Sequence, residues 1–174
     1  MAIKARALGA ITLSVILPFS ISSSALANPA APFSELDTLG SAQSNEAISE
    51  GLSAEANAAE RDNSGTLLSV TWSIENNGGD SAYFDWPTGN SYMYENTPFS
   101  GITAISQEND KRFHPIMDGE GSCLCSGISS IDIKDKIEPG EKVAYWSMFS
   151  VPSDVDTITL EIPGFDPIED IPIS

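Results

Sequence analysis

Residues 66–75 read TLLSVTWSIE, with Leu68, Val70, Trp72 and Ile74 alternating with Ser69, Thr71, Ser73 and Glu75. Side chains of a strand point to opposite faces at successive positions, so this pattern predicts a strand with one apolar and one wet face. Downstream, NNGGDS (76–81) is a turn cluster, and AYFDW (82–86) places Ala82, Phe84 and Trp86 on one face of a second strand. Pro87 ends it, because proline has no N–H to give a ladder. GITAIS (101–106), the turn QEND and KRFHPIM (111–117) predict a hairpin.

The last third repeats this logic. IDIKDKI (131–137) carries Ile131, Ile133 and Ile137, and EPGE turns the chain. KVAYWSMFS (142–150) is apolar on both faces, as expected of a central strand or one covered on its outer side. In DTITLEIP (156–163), Ile158, Leu160 and Ile162 alternate with Thr157, Thr159 and Glu161. Short strands separated by turn signals predict an all-β protein: a single immunoglobulin-like antiparallel β-sandwich over residues 64–174.

Residues 1–27 have another character. Lys4 and Arg6 precede the apolar run ALGAITLSVILPFSI, and SALA supplies a small-x-small cleavage pattern ending at Ala27. That order of features predicts a signal peptide, with a core too short for a membrane span of about 20 residues. The protein is therefore expected to be secreted or extracytoplasmic, with no stable membrane insertion after cleavage. Residues 28–63, rich in Ala, Ser, Glu and Asn, offer only Ile48 and Leu52 as spaced apolar anchors, with a helix start near Ser44–Ala47. Two anchors do not offset about 1–2 kcal/mol of backbone ordering per residue. The segment is expected to be a disordered spacer with nascent helix, or else a docking helix.

The net charge is −17, and losing Lys4 and Arg6 with the signal takes it to −19. Nucleic-acid binding depends on Lys and Arg neutralising phosphates, so no nucleic-acid partner is expected. The stretches VTWSIENNGG, KRFHPIMDGEGSCLCS, IEPGEKVAYWSMF and VPSDVDTITLEIPGFDPIEDIPI together resemble a domain of secreted actinobacterial proteins. The resemblance runs from about Leu67 to Ser174 and is most specific at Cys123-Leu124-Cys125-Ser126. In some members that domain precedes an OmpA-like, peptidoglycan-binding module. The resemblance implies an Ig-like fold and an exported location, and it implies no activity.

Cys123 and Cys125 are the two cysteines of the chain. In an oxidising compartment an even count defaults to a disulfide. A Cys-x-Cys bridge closes a very small ring, and Gly119, Gly121 and Gly127 make the required bend accessible. Three alternatives stay open. A soft metal site would add His114 and Met117, without the usual four-ligand spacing. A redox couple would need an accessible thiolate near positive charge, whereas Asp118 and Glu120 are acidic. A Cys–His nucleophile would need an orienting third group. The acidic stretches DVD (154–156), DPIED (166–170) and DIKD (132–135) lack the spacing of a calcium loop. No catalytic motif, metal or cofactor is expected. The segment WPTGNSYMYENTPF offers Trp86, Tyr92, Tyr94 and Phe99 as candidate partner-binding aromatics. The expected function is that of a non-enzymatic binding or accessory module for a protein or cell-envelope component. The alternative is an accessory protein in thiol redox or metal handling through Cys123 and Cys125.

Overall fold

The computed structural model describes residues 36–88, 98–127 and 133–174. The expected strand at 66–75 is the spine of the fold. Strand β3 (Leu67–Asn76) turns Leu68, Val70, Trp72 and Ile74 inward, all at 0% exposure, while Ser69, Thr71 and Glu75 stay half-buried on the outer face. It pairs antiparallel on one side with β2 (Leu52–Arg61) and on the other with β8 (Lys142–Ser150). With β1 (Gly40–Gln43) these make a four-stranded sheet in the order β1-β2-β3-β8.

The second sheet has the order β10-β9-β5-β6, built from β5 (Thr103–Ser106), β6 (Lys111–Phe113), β9 (Thr157–Glu161) and β10 (Ile168–Pro172). β5 and β6 form the expected hairpin, with Ala104 opposite Phe113. A two-stranded ribbon joins β4 (Ala82–Tyr83) to β7 (Lys136–Ile137). The inner faces of the two large sheets share one core, which holds Trp72, Phe84, Phe99, Tyr145 and Phe149. The fold is an all-β antiparallel sandwich.

The N-terminal boundary expected at residue 64 is corrected by the structure. Gly40–Arg61, assigned to a disordered spacer, forms β1, a 3₁₀ turn at Ala47–Ser49 and the ten-residue β2. Leu52, Ala54, Ala56 and Ala59 lie on the inner face at 0–3% exposure. Their side chains are small, but Ala54 stands opposite Ile74 and Ala56 opposite Trp72. The large residues of β3 thus supply the buried area that β2 lacks. Of the two expected anchors, Leu52 is buried and Ile48 is 56% exposed. Pro32–Ser174 form one compact unit. The expected signal peptide and the first part of the spacer lie outside the described residues.

A guanidinium fastens one end of the sandwich. Arg61 donates to the carbonyls of Gly65, Val151, Pro152 and Val155, tying the β2–β3 turn to the β8–β9 turn.

Candidate functional site

The cysteine motif lies along the edge of β8. Past β6, Pro115 bridges to Phe149 and the Ile116 N–H donates to the Met148 carbonyl at 2.8 Å. The chain then reverses at Asp118, whose carboxylate accepts the N–H groups of Glu120 and Ser122 at 2.9 Å each. Gly121 at φ 86° supplies the left-handed residue that this reversal requires. On the return, Leu124 donates to the Ile116 carbonyl at 2.7 Å, Met148 to Leu124 at 3.0 Å, and Ser126 to Trp146 at 2.8 Å. The Ser126 hydroxyl accepts the Trp146 N–H in turn, at 2.9 Å. Residues 115–125 therefore form a tight hairpin, with the cysteines on its return arm, that extends the first sheet beyond β8.

Strand alternation sends Cys123 and Cys125 inward and Leu124 outward. The two cysteines form a disulfide-bonded pair with Cα atoms 5.4 Å apart, and both are 0% exposed. Their sulfurs lie 4.0 and 3.9 Å from the Pro98 carbonyl oxygen. Thiol exchange requires an attacking thiolate to reach a sulfur, and this pair is sealed within the core. Of the other residues weighed as soft ligands, Met117 bridges to Cys123 and packs on the core, while His114 is exposed. Among the described residues no group of three His, Cys, Asp or Glu side chains is arranged to hold a metal ion.

The candidate aromatics fall into different environments. Phe99 is 1% exposed, with ring centroids 5.1 Å from Tyr145 and 5.7 Å from Phe84, so it is a core residue rather than a partner contact. Its backbone is left-handed at φ 65°, and Gly127 makes room for it, since a Cβ there would meet the Phe99 ring at 3.1 Å. Trp86 is half-buried, edge-on to Phe84 and stacked near Phe165, and it covers Gly164. A Cβ on Gly164 would sit 2.6 Å from that indole. Tyr92 and Tyr94 lie outside the described residues. Among the described residues the exposed aromatic is Tyr83, at 61%.

The surface that sequence reading passed over is the outer face of the first sheet. β8 places Lys142, Ala144, Trp146 and Met148 on it, all half-buried, and the cysteine hairpin adds Ile116 and Leu124. Beside them, β3 sets Thr71 opposite Trp146 and Ser69 opposite Met148. One end of this face is polar. There the Lys142 ammonium lies 2.8 Å from Glu55 and 3.4 Å from Glu75, while Thr38 donates to Glu55 at 2.8 Å. Partial burial raises the Glu55 pKa, but the Lys142 and Thr38 hydrogen bonds outweigh it and hold the carboxyl below its ordinary value. The hydrogen bond to Glu55 in turn raises Lys142. The apolar character on both faces of KVAYWSMFS was the available signal.

No protein-family model and no curated protein matches the chain. Among solved structures, the crystal structure of a functionally unknown protein from Listeria monocytogenes EGD-e is similar, with a TM-score of 0.40 and 13% identity. The similarity covers 79% of this chain and 85% of that one. No helix among the described residues is long and apolar enough to cross a membrane.

Proposed function

We propose that the protein is an exported, non-enzymatic binding module of the cell envelope or extracellular space, with an Ig-like sandwich presenting the outer face of β8 to a protein partner. The observation that carries this reading is the strip formed by Ile116, Leu124, Trp146 and Met148, which belongs to a sheet yet lies outside the core cluster. Trp and Met are enriched at protein interfaces, and the Glu55–Lys142–Glu75 group supplies a polar rim of the usual kind. Export is supported by the order of charge, apolar core and cleavage pattern in residues 1–27. Burial of both sulfurs weighs against the thiol-redox alternative, which needs at least one of them within reach of a partner thiol.

The test is site-specific photo-crosslinking in the producing cells, with the probe at position 146 and a control probe at exposed Glu108. One discrete protein adduct at 146, absent at 108 and lost on Leu124→Asp, supports the reading. Equal adducts at both positions, or none at 146, reject it. Intact mass of the protein from the culture or envelope fraction tests export, and a chain retaining residues 1–27 rejects that part.

A further inference from the structure

Backbone pairing closes one way of docking on β8. The Trp146 N–H donates to the Ser126 hydroxyl at 2.9 Å, and the Trp146 carbonyl accepts the Ser126 N–H at 2.8 Å. The Met148 N–H donates to the Leu124 carbonyl at 3.0 Å, and the Met148 carbonyl accepts the Ile116 N–H at 2.8 Å. Both ladder groups of each residue are thus taken, and β3 lies along the other side of β8. No added strand can pair here, so a partner meets this part of β8 through side chains alone. The strip of Ile116, Leu124, Trp146 and Met148 spans β8 and the two arms of the cysteine hairpin. That width is about 10 Å, from two inter-strand spacings of about 4.8 Å. It matches the diameter of one α-helix with its side chains, about 10–12 Å.

The charges around the strip are mainly of one sign. In β1, β2, β3, β8 and the hairpin the basic residues are Arg61 and Lys142, and the acidic ones are Glu55, Glu60, Glu75, Asp118 and Glu120. Both cations are committed. Arg61 holds the four carbonyls described above, and Lys142 is shared between Glu55 and Glu75. Register sets the exposed Glu60 opposite Ser69 and Ser69 opposite Met148, in one row across the outer face. The exposed Asp118 and Glu120 stand at the hairpin tip, beyond Leu124. The strip is an apolar band with carboxylates past both ends and along one side.

We infer that this face takes a basic amphipathic helix, its apolar stripe lying on Trp146, Met148, Leu124 and Ile116 and its lysines or arginines over the surrounding carboxylates. The inference rests on the protein-binding reading of the β8 face and narrows it to one kind of partner. A helix packs on a sheet face without needing a ladder group. The excess of carboxylates attracts a basic segment and repels an acidic one.

The test is a ¹⁵N-resolved NMR titration of the full chain with three synthetic helical peptides of one length. The first carries leucines on one stripe and lysines around it; the second replaces its lysines by glutamates, and the third its leucines by alanines. Saturable shifts at the Trp146 indole N–H and at the Met148 and Leu124 amides are expected with the first peptide alone. Glu60 and Glu120 belong to no ion pair among the described residues. Glu60→Gln and Glu120→Gln are each expected to weaken binding about threefold, the effect of one exposed charge. No saturable binding of the first peptide, equal binding of either other peptide, or unchanged affinity in both variants overturns the inference. The same shifts on concentrating the chain alone overturn it in favour of a second copy. A discrete crosslink at position 146 in cells, beside any of these results, leaves the protein-binding reading standing and removes this inference alone. Absence of that crosslink removes both.

Discussion

Trp72 and Tyr145 stand opposite each other across the β3–β8 ladder, with their ring centroids 4.8 Å apart and both side chains closed to solvent. Each also satisfies its polar atom. The Trp72 indole N–H donates to the Ser147 hydroxyl at 3.2 Å, and the Tyr145 hydroxyl donates to the Lys134 carbonyl at 2.7 Å. Burial, helped by the charges of Asp135 and Glu141, pushes the Tyr145 phenol far above its ordinary pKa. Tyr145→Phe leaves the Lys134 carbonyl without this donor and is expected to cost about 1 kcal/mol. Trp72→Ala empties the centre of the core and is expected to cost about 3–5 kcal/mol. Urea midpoints rank the two, and a Tyr145→Phe loss as large as the Trp72→Ala loss contradicts this account.

Arg61 holds two turns through a planar fork, a geometry that an ammonium cannot copy. Arg61→Lys is therefore expected to destabilise nearly as much as Arg61→Met, each by about 1–3 kcal/mol. Hydrogen exchange should quicken first at Gly65 and Val155. Full recovery of stability by lysine would show that charge, not the fork, is what matters.

The buried cysteine pair is expected to resist reduction while the sandwich is folded. Dithiothreitol followed by iodoacetamide should leave the native mass unchanged and add two carbamidomethyl groups once denaturant is present. Ready alkylation under native conditions would revive the thiol-redox reading.

The Glu55–Lys142 pair predicts two pH limits. Glu55 is held below 4.5, so its contribution is present above the unfolded value and is lost as pH falls through the folded one, in the acid range under about 4.5. Lys142 is raised above 10.5, so its contribution is present below the unfolded value and is lost as pH rises through the folded one. Glu55→Gln should flatten both limbs of a plot of urea midpoint against pH. A wild-type-shaped profile in that variant would place the pH dependence elsewhere.

Truncation tests the corrected boundary. A chain starting at residue 64 strips β2 from nine register positions along β3 and uncovers Val70, Trp72 and Ile74. It is expected to be unfolded or aggregated by circular dichroism and light scattering. A chain starting at residue 36 keeps both strands and is expected to melt cooperatively.

Much of the sandwich was legible because large side chains repeat with period two in β3 and β9, because KVAYWSMFS is apolar on both faces, and because QEND marks a hairpin. β2 was missed although LSAEA alternates as well, because alanine carries little hydrophobic signal and its partner is written elsewhere in the chain. β10 was hidden for another reason. Its buried residues Ile168 and Ile171 are three apart, since a register shift with Asp170 at φ 56° breaks the alternation. Three acids and two prolines between Asp166 and Pro172 completed the disguise. The close cysteine pair was expected, but its inward placement depended on docking against β8, a contact that local sequence does not encode. Phe99 looked like a loop aromatic because its flanks are polar, and only the third dimension carries it into the core.

The β3–β8 pairing also dictates an order of events. Leu67 meets Ser150 and Glu75 meets Lys142, so the central ladder cannot close until most of the chain has emerged. Until then β1, β2 and β3 form an incomplete sheet whose third strand has a bare edge and an apolar face. Long-range pairing of this kind places folding in the millisecond-to-second range. The nascent chain is therefore most exposed to aggregation between synthesis of Asn76 and arrival of Lys142, and a chaperone would find its most useful target there.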